Sequence, residues 1–282
     1  MGGRVIEAGA RPRGCAPAAS GNGRRARRGP ALLAFLLLVG LPARLPAAAL
    51  CPPDHLDAQV RVDYVYDGDT LTLTDGRRVR LIGMDAPEMG RDGHATQPGA
   101  VAARDRLRAL VRRAGRRLGL RYDLDRHDRY GRLLAHLFLP DGDSVTARLL
   151  REGRGVPLVI PPNVWHAGCY GKAAAAARRE RRGIWRYPRY RPVAARALPA
   201  RAHGFHIVRG RVRHLGRGRH RLWLDLPGKV ALYIQQQDLR WFRSYDPTRL
   251  QGRRVEAMGW IHRRHGERRM RIRHPSALRV LD

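Results

Sequence analysis

Lysine is almost missing from this chain. Of its 56 basic residues only Lys172 and Lys229 are lysine, and the other 54 are arginine. Acids are scarce as well, at 24, which leaves a formal net charge of +32 over 282 residues. An internal run of about 20 apolar residues is also absent, which excludes a polytopic helical membrane protein. Hydrophobic residues still make up 43% of the chain, so a charge-dominated disordered protein is excluded too. The length allows one large domain or two small ones. The charge points first to nucleic acid as a partner, then to an anionic membrane or envelope polymer. Abundant Arg, Ala and Gly with little Lys is also what a GC-rich genome produces, so charge alone does not carry a functional conclusion.

Residues 1–49 read as a signal peptide. Arg24, Arg25, Arg27 and Arg28 form a basic cluster, residues 31–40 (ALLAFLLLVG) form a short apolar stretch, and Ala47 and Ala49 stand in an A-x-A cleavage pattern. The alternative is an uncleaved N-terminal anchor. Export to the periplasm or the medium, with no membrane span after cleavage, is the expectation. Export leaves two cysteines, Cys51 and Cys169, and in an oxidising compartment an even pair reads as a disulfide. Two unrelated thiols are the alternative. Beyond residue 50 the chain keeps 48 basic and 23 acidic residues, net +25, so the charge does not come from the leader.

Within residues 58–84, Val60, Val62, Tyr64 and Tyr66 alternate, as do Leu71 and Leu73, then Val79, Leu81 and Gly83. With Asp75-Gly76 as a hairpin turn, this predicts a three-stranded antiparallel meander. An amphipathic helix is expected over 97–113, with Val101, Leu107, Leu110 and Val111 on one face. Strands follow at 118–124 and 132–139. Ser144 caps a short helix that ends at Gly153, and another helix runs from about 171 to 182. The Pro-, Arg- and Ala-rich stretch 187–202 reads as a linker. Residues 203–282 return to about five short strands, with a turn at Leu215-Gly216 and a short helix over 237–242. This suits a second small all-β, barrel-like domain, for which an OB-like form is a candidate.

Three clusters carry chemistry: Asp67-Gly68-Asp69-Thr70 between two strands, Arg80 through Asp85-Ala86-Pro87-Glu88 at a strand end, and Asp128-Arg129-Tyr130-Gly131-Arg132 entering a strand. Asp69 and Asp85 supply two hard oxygen ligands for a cation such as Ca²⁺. Glu88 could orient or deprotonate a water. Arginine forks suit the non-bridging oxygens of a phosphodiester. Singly each motif is weak, since a DGDT turn is commonly just a turn. Their order and spacing carry the reading.

In that order and spacing the motifs resemble the staphylococcal nuclease (thermonuclease) family over about residues 58–186. The resemblance implies a β-rich α+β fold, an OB-type five-stranded barrel with three helices, spanning a nuclease domain at 50–186. It also implies a hydrolase: a Ca²⁺-dependent endonuclease-type enzyme acting on DNA and RNA. By the match, Asp69 and Asp85 are the calcium carboxylates and Ala86 adds its backbone carbonyl. Asp67 supports them, Glu88 is the general base, and Arg80 and Arg132 bind phosphate. Arg129 and Tyr130 match positions that contact a terminal phosphate. The chain departs from the family where tyrosines pack on the base: residues 156–161 (VPLVIP) hold no aromatic, and Trp165 or Tyr170 are the candidate substitutes.

The C-terminal strands carry Arg209, Arg211, Arg213, Arg217, Arg219 and Arg221, interspersed with Phe205, Trp223, Tyr233, Trp241 and Trp260. Arg with aromatics on a small barrel suits single-stranded nucleic acid. Aromatics in the core with Arg from compositional drift is the competing reading. Two alternatives to a nuclease stand beside it: a non-catalytic nucleic-acid-binding module, and an envelope-associated polyanion-binding protein. A monomer is the expected oligomeric state.

Overall fold

The computed structural model describes residues 48–90 and 93–282. The expected signal peptide lies almost wholly outside the described residues. Strands β1 (Ala58–Val65), β2 (Thr70–Leu73) and β3 (Arg78–Leu81) form the expected antiparallel meander. Strands β5 (Arg117–His127) and β6 (Leu133–Phe138) close it into a five-stranded barrel in the order β1-β2-β3-β6-β5. A short β4 (Gly83–Asp85) leaves the barrel to pair with β7 (Val156–Leu158). Three helices complete the region: α1 (Ala100–Arg113), α2 (Val145–Arg151) and α3 (Ala167–Arg179). Val62, Leu71, Leu73, Val79, Leu81, Leu118, Leu120 and Leu137 fill the barrel.

Some patterns shift phase. The alternation of β1 breaks at a bulge between Val62 and Tyr64, so Val65 turns inward and Tyr64 faces solvent. The α1 face is completed by Ala103, while Val101 is exposed. Gly83 does not continue β3. Its φ of +92° turns the chain into β4, and a side chain there would collide with the Tyr170 ring. Helix α3 starts four residues before the expected 171. Cys51 and Cys169 face each other with Cα atoms 5.9 Å apart and joined sulfurs.

The all-β region that follows holds more strands than expected. These are β8 (Pro192–Ala194), β9 (Gly204–Arg211), β10 (His214–Arg217), β11 (Arg221–Leu226), β12 (Val230–Gln235), β13 (Arg254–Arg264), β14 (Glu267–Arg271) and β15 (Leu278–Val280). They form one sheet in the order β10-β11-β12-β14-β13-β9-β8, with β15 on β13. The Leu215-Gly216 pair, expected as a turn, lies inside β10. The short helix is a 3₁₀ helix, Gln236–Trp241. Leu222, Leu224, Leu232, Ile234, Val255, Ala257, Ile261 and Met270 alternate onto the core face of the sheet.

The stretch 187–202, read from composition as a linker, is folded. It supplies β8, which pairs in parallel with β9, and it buries Tyr190, Ala195, Leu198 and Ala202. Tyr190 belongs to an apolar seam with Val156, Ala177, Ile184, Trp185, Phe205 and Ile207. That seam joins β7 and α3 to β9 of the C-terminal sheet. Beside it Glu256 of β13, 4% exposed, takes Arg178 of α3 at 2.6 Å and Arg209 of β9 at 2.7 Å. Arg279 adds a third contact at 3.2 Å. These cations hold the Glu256 carboxyl down at about 2, against the cost of its burial. Barrel and sheet belong to one unit. No described helix is long and apolar enough to cross a membrane.

Candidate active site

The turn between β1 and β2 brings Asp69 inward. Asp67 accepts a hydrogen bond from the Asp69 backbone N–H at 3.0 Å, which fixes the turn. Gly68 sits between Ala103 of α1 and Ala86, where an added Cβ would lie 2.6 Å from each side chain. The glycine of this motif therefore serves close packing. Asp69 itself is buried. Its Oδ2 accepts from the Ala86 N–H at 2.6 Å, and its Oδ1 accepts from the Thr70 hydroxyl at 3.1 Å.

Arg80, on β3, spans two acids. Its Nη1 lies 3.2 Å from Asp69 Oδ2 and its Nη2 lies 2.7 Å from Asp85 Oδ1. Nη1 also donates to the Leu81 and Met84 carbonyls at 2.9 Å. Burial raises both carboxyls. It pushes Asp69 up to about 7, despite the attraction of Arg80 and with added repulsion from Asp67 and Asp85. Asp85 is raised for the same first reason. A buried and a half-buried carboxylate on one guanidinium carry more negative charge than it compensates, which favours a further cation.

The donor set fits a hard cation. Asp69 and Asp85 offer carboxylate oxygens, and Ala86, next to Asp85 in the chain, is tied to Asp69 through its N–H. Among the described residues no group of three or more His, Cys, Asp or Glu side chains is arranged to hold a metal. A cation held by two carboxylates and a backbone carbonyl keeps much of its own hydration.

Glu88 and Arg132 face the same cleft. Glu88 is open to solvent along one side. Partial loss of hydration, then the charges of Asp85 and Asp67, raise its carboxyl above the usual range. Arg132 is aimed by Asp128, whose Oδ2 accepts from Arg132 Nε at 2.7 Å while its Oδ1 accepts from the Arg132 N–H at 3.0 Å. Asp128 was part of a recognised motif, but its positioning role appears only in the fold. Arg129 and Tyr130 stand on the exposed turn outside the cleft lining. The Arg129 guanidinium lies 4.7 Å from the Tyr130 ring centroid and hydrogen-bonds its hydroxyl.

The proposed substitutes for the missing base-packing aromatics do not reach the cleft. Tyr170 is 1% exposed and tied to His136 at 2.8 Å and Ser144 at 3.1 Å. Trp165 is packed between the Arg121 guanidinium, 3.8 Å away, and the His136 and His166 rings. The cleft instead has a second wall that sequence reasoning did not place there. Its volume is about 740 Å³, and across from Arg80, Glu88 and Arg132 it is lined by Trp260, Tyr233, His262 and Arg271 of the C-terminal sheet and by Arg273 just past β14. The only advance signal was the alternation of aromatics and Arg along those strands.

Comparison with known proteins is consistent with this geometry. The family model described as "Staphylococcal nuclease homologue" matches residues 78–187. The chain is 34% identical over 127 residues to the thermonuclease of Staphylococcus intermedius, covering 44% of this chain and 74% of that protein. It is 36% identical over 131 residues to the SPbeta prophage-derived endonuclease YokF of Bacillus subtilis (strain 168), covering 45% of this chain and 43% of that one. The endonuclease YncB of the same strain is 34% identical over 131 residues, 61% of its length. The chain thus spans less than half of YokF and about three quarters of the thermonuclease. The family match ends before the C-terminal sheet.

Proposed function

The chain belongs to the staphylococcal nuclease family, and from that premise we propose that it is a nuclease hydrolysing phosphodiester bonds of DNA or RNA. The observation that carries this reading is the convergence of Asp69, Asp85, Arg80, Glu88 and Arg132 on one cleft. Glu88 takes the proton of an attacking water as its oxygen forms a bond to phosphorus. The opposite P–O ester bond breaks, and the departing oxygen takes a proton from solvent water. Arg80 and Arg132 donate hydrogen bonds to the phosphoryl oxygens as charge builds on them. Asp128 and the two carboxylates fix those guanidiniums in advance, so little reorganisation accompanies the reaction. Asp69, Asp85 and the Ala86 carbonyl would hold Ca²⁺. When bound, that ion polarises a phosphoryl oxygen and neutralises developing charge.

Export belongs to the same proposal. An A-x-A site ahead of Cys51 and a Cys51–Cys169 disulfide suit an oxidising compartment, so the mature protein is proposed to act in the periplasm or the medium, as a monomer. Incubation of the purified protein with single-stranded DNA and with RNA, in calcium and in excess chelator, tests the enzymatic reading. Cleavage in calcium that stops with chelator is expected. No cleavage of either polymer in calcium rejects it.

A further inference from the structure

The wall of the cleft that lies outside the family match has its own chemistry. Register aligns Trp260 with Phe205, His262 with Arg269, Arg271 with Tyr233, and Tyr233 with Trp223. Residues two apart on a strand share a face, so these side chains form one surface across five strands. At one end of that surface Phe205 is buried in the apolar seam against the barrel. From there the surface runs into the cleft. Trp260 meets Phe205 edge-on, at 5.4 Å between centroids, and is 39% exposed. It is held at its edge with ring area open.

The arginines of the cleft differ in their commitments. Arg80 is taken by Asp69 and Asp85, Arg132 by Asp128, and Arg271 by the buried Asp238 at 2.8 Å. Arg273 is half-buried and has no hydrogen bond or ion pair among the described residues. Burial and the neighbouring Arg271 charge weigh against the charged form of Arg273, and Asp238, which Arg271 already holds, offsets this only from a distance; an anion arriving from outside would offset it directly.

We propose that the C-terminal sheet is the strand-holding wall of this active site, with Trp260 as the stacking surface for an unpaired nucleobase and Arg273 as the contact for a backbone phosphate of single-stranded nucleic acid. The proposal rests on the nuclease reading for the position of the bond that is cut. It accounts for residues 156–161, where no aromatic is present: the base is packed from the opposite side. A single strand is the form that fits. Base faces in a duplex are covered by their neighbours, and a cleft of this volume is in the range of small-ligand sites. Stacking on an aromatic is tolerant of base identity, and the guanidinium reads only phosphate.

The test uses the full chain as wild type, Trp260→Ala, Trp260→Phe and Arg273→Gln. Binding of a fluorescein-labelled oligothymidylate is followed by anisotropy in chelator, where cleavage does not interfere. Steady-state turnover of the same oligonucleotide in calcium and the thermal midpoint of each variant are then measured. W260A and R273Q are expected to raise both Kd and KM for the strand about tenfold. W260F recovers most of the loss, and the thermal midpoint of every variant stays near that of wild type. Strand affinity unchanged in both W260A and R273Q overturns the proposal. So does a fall in thermal midpoint that tracks the loss of affinity, because it marks a structural role. If wild type binds the strand but does not cleave it, the nuclease reading fails. The Kd shifts then decide the binding wall on their own.

Discussion

The two walls of the cleft differ in whether every arginine is committed. On the barrel side every cleft guanidinium is already held by acids of the same chain: Arg80 by Asp69 and Asp85, Arg132 by Asp128. On the sheet side Arg271 is held by Asp238, but Arg273 makes no hydrogen bond or ion pair among the described residues and Trp260 is left partly open. A guanidinium tied to a carboxylate grips a ground-state phosphate weakly, because the phosphate must compete with the acid. It is also fixed in place, so it meets the larger charge of a transition state without reorganising. An untied guanidinium and an open ring bind whatever strand is present. The barrel wall should therefore control kcat, and the sheet wall KM.

The largest effect expected from breaking this division is at Arg132. Arg132→Ala removes a positioned donor to the phosphoryl oxygens, and kcat should fall by about two to three orders of magnitude with little change in strand KM. Steady-state kinetics on an oligonucleotide reads both parameters. Arg132 is only partly buried and pairs with a local acid, so the thermal midpoint should barely move. A variant that keeps near-normal kcat would remove Arg132 from the chemistry. Arg80→Ala is a poorer probe, since it strands the buried Asp69 and the half-buried Asp85 and costs stability as well.

The barrel wall was largely legible in the sequence because its parts are local. Asp67 orients the turn that presents Asp69 two residues on, Arg80 reaches Asp85 five residues on, and Asp128 holds Arg132 four residues on. Short separations let spacing stand in for geometry. The sheet wall was not legible. Trp260 faces Arg80 only because residues 187–202 pack as a seam and bring β9 and β13 against α3. Those residues carry the Pro, Arg and Ala of a flexible connector, and composition does not show that Tyr190 is buried. Local phase failed for a similar reason. One bulge in β1 exposed Tyr64, and one left-handed Gly83 ended β3, and neither is visible in an alternating pattern.

A smaller effect is expected where the two regions are joined. Glu256→Ala leaves Arg178, Arg209 and Arg279 without their shared carboxylate, and loss of such a buried acid costs about 3 kcal/mol. Urea denaturation with a barrel probe and a sheet probe checks this. The sign of its pH dependence follows from the depressed carboxyl. The stabilisation is complete above the ordinary glutamate value of 4.5 and is lost as pH falls through about 2. Wild type should therefore lose its advantage over Glu256→Ala on acidification below pH 4.5, and the two curves should converge. A gap that stays constant down to about pH 2 would show that packing, not the ion cluster, holds the seam.

The smallest effect sharpens the comparison at the far end of the sheet surface. Trp223 pairs in register with Tyr233, and their rings lie 5.1 Å apart. The guanidiniums of Arg269 and Arg221 lie 4.9 and 5.7 Å from its centroid. Trp223 is not part of the cleft lining, so a strand reaches it only after passing Trp260 and Tyr233. Cation–π contacts already cover part of the ring, which reduces what a further base would gain. Trp223→Ala should therefore weaken a long single strand by only about two- to fivefold and leave a very short one unaffected, since stacking contributes about 1–3 kcal/mol at a fully open ring. Binding measured against oligonucleotide length separates the two. If Trp223→Ala and Trp260→Ala weaken strands of every length equally, the surface does not track a strand outward from the site. Affinity would then arise from general charge on the sheet, and it should fall with salt at a slope indifferent to strand length.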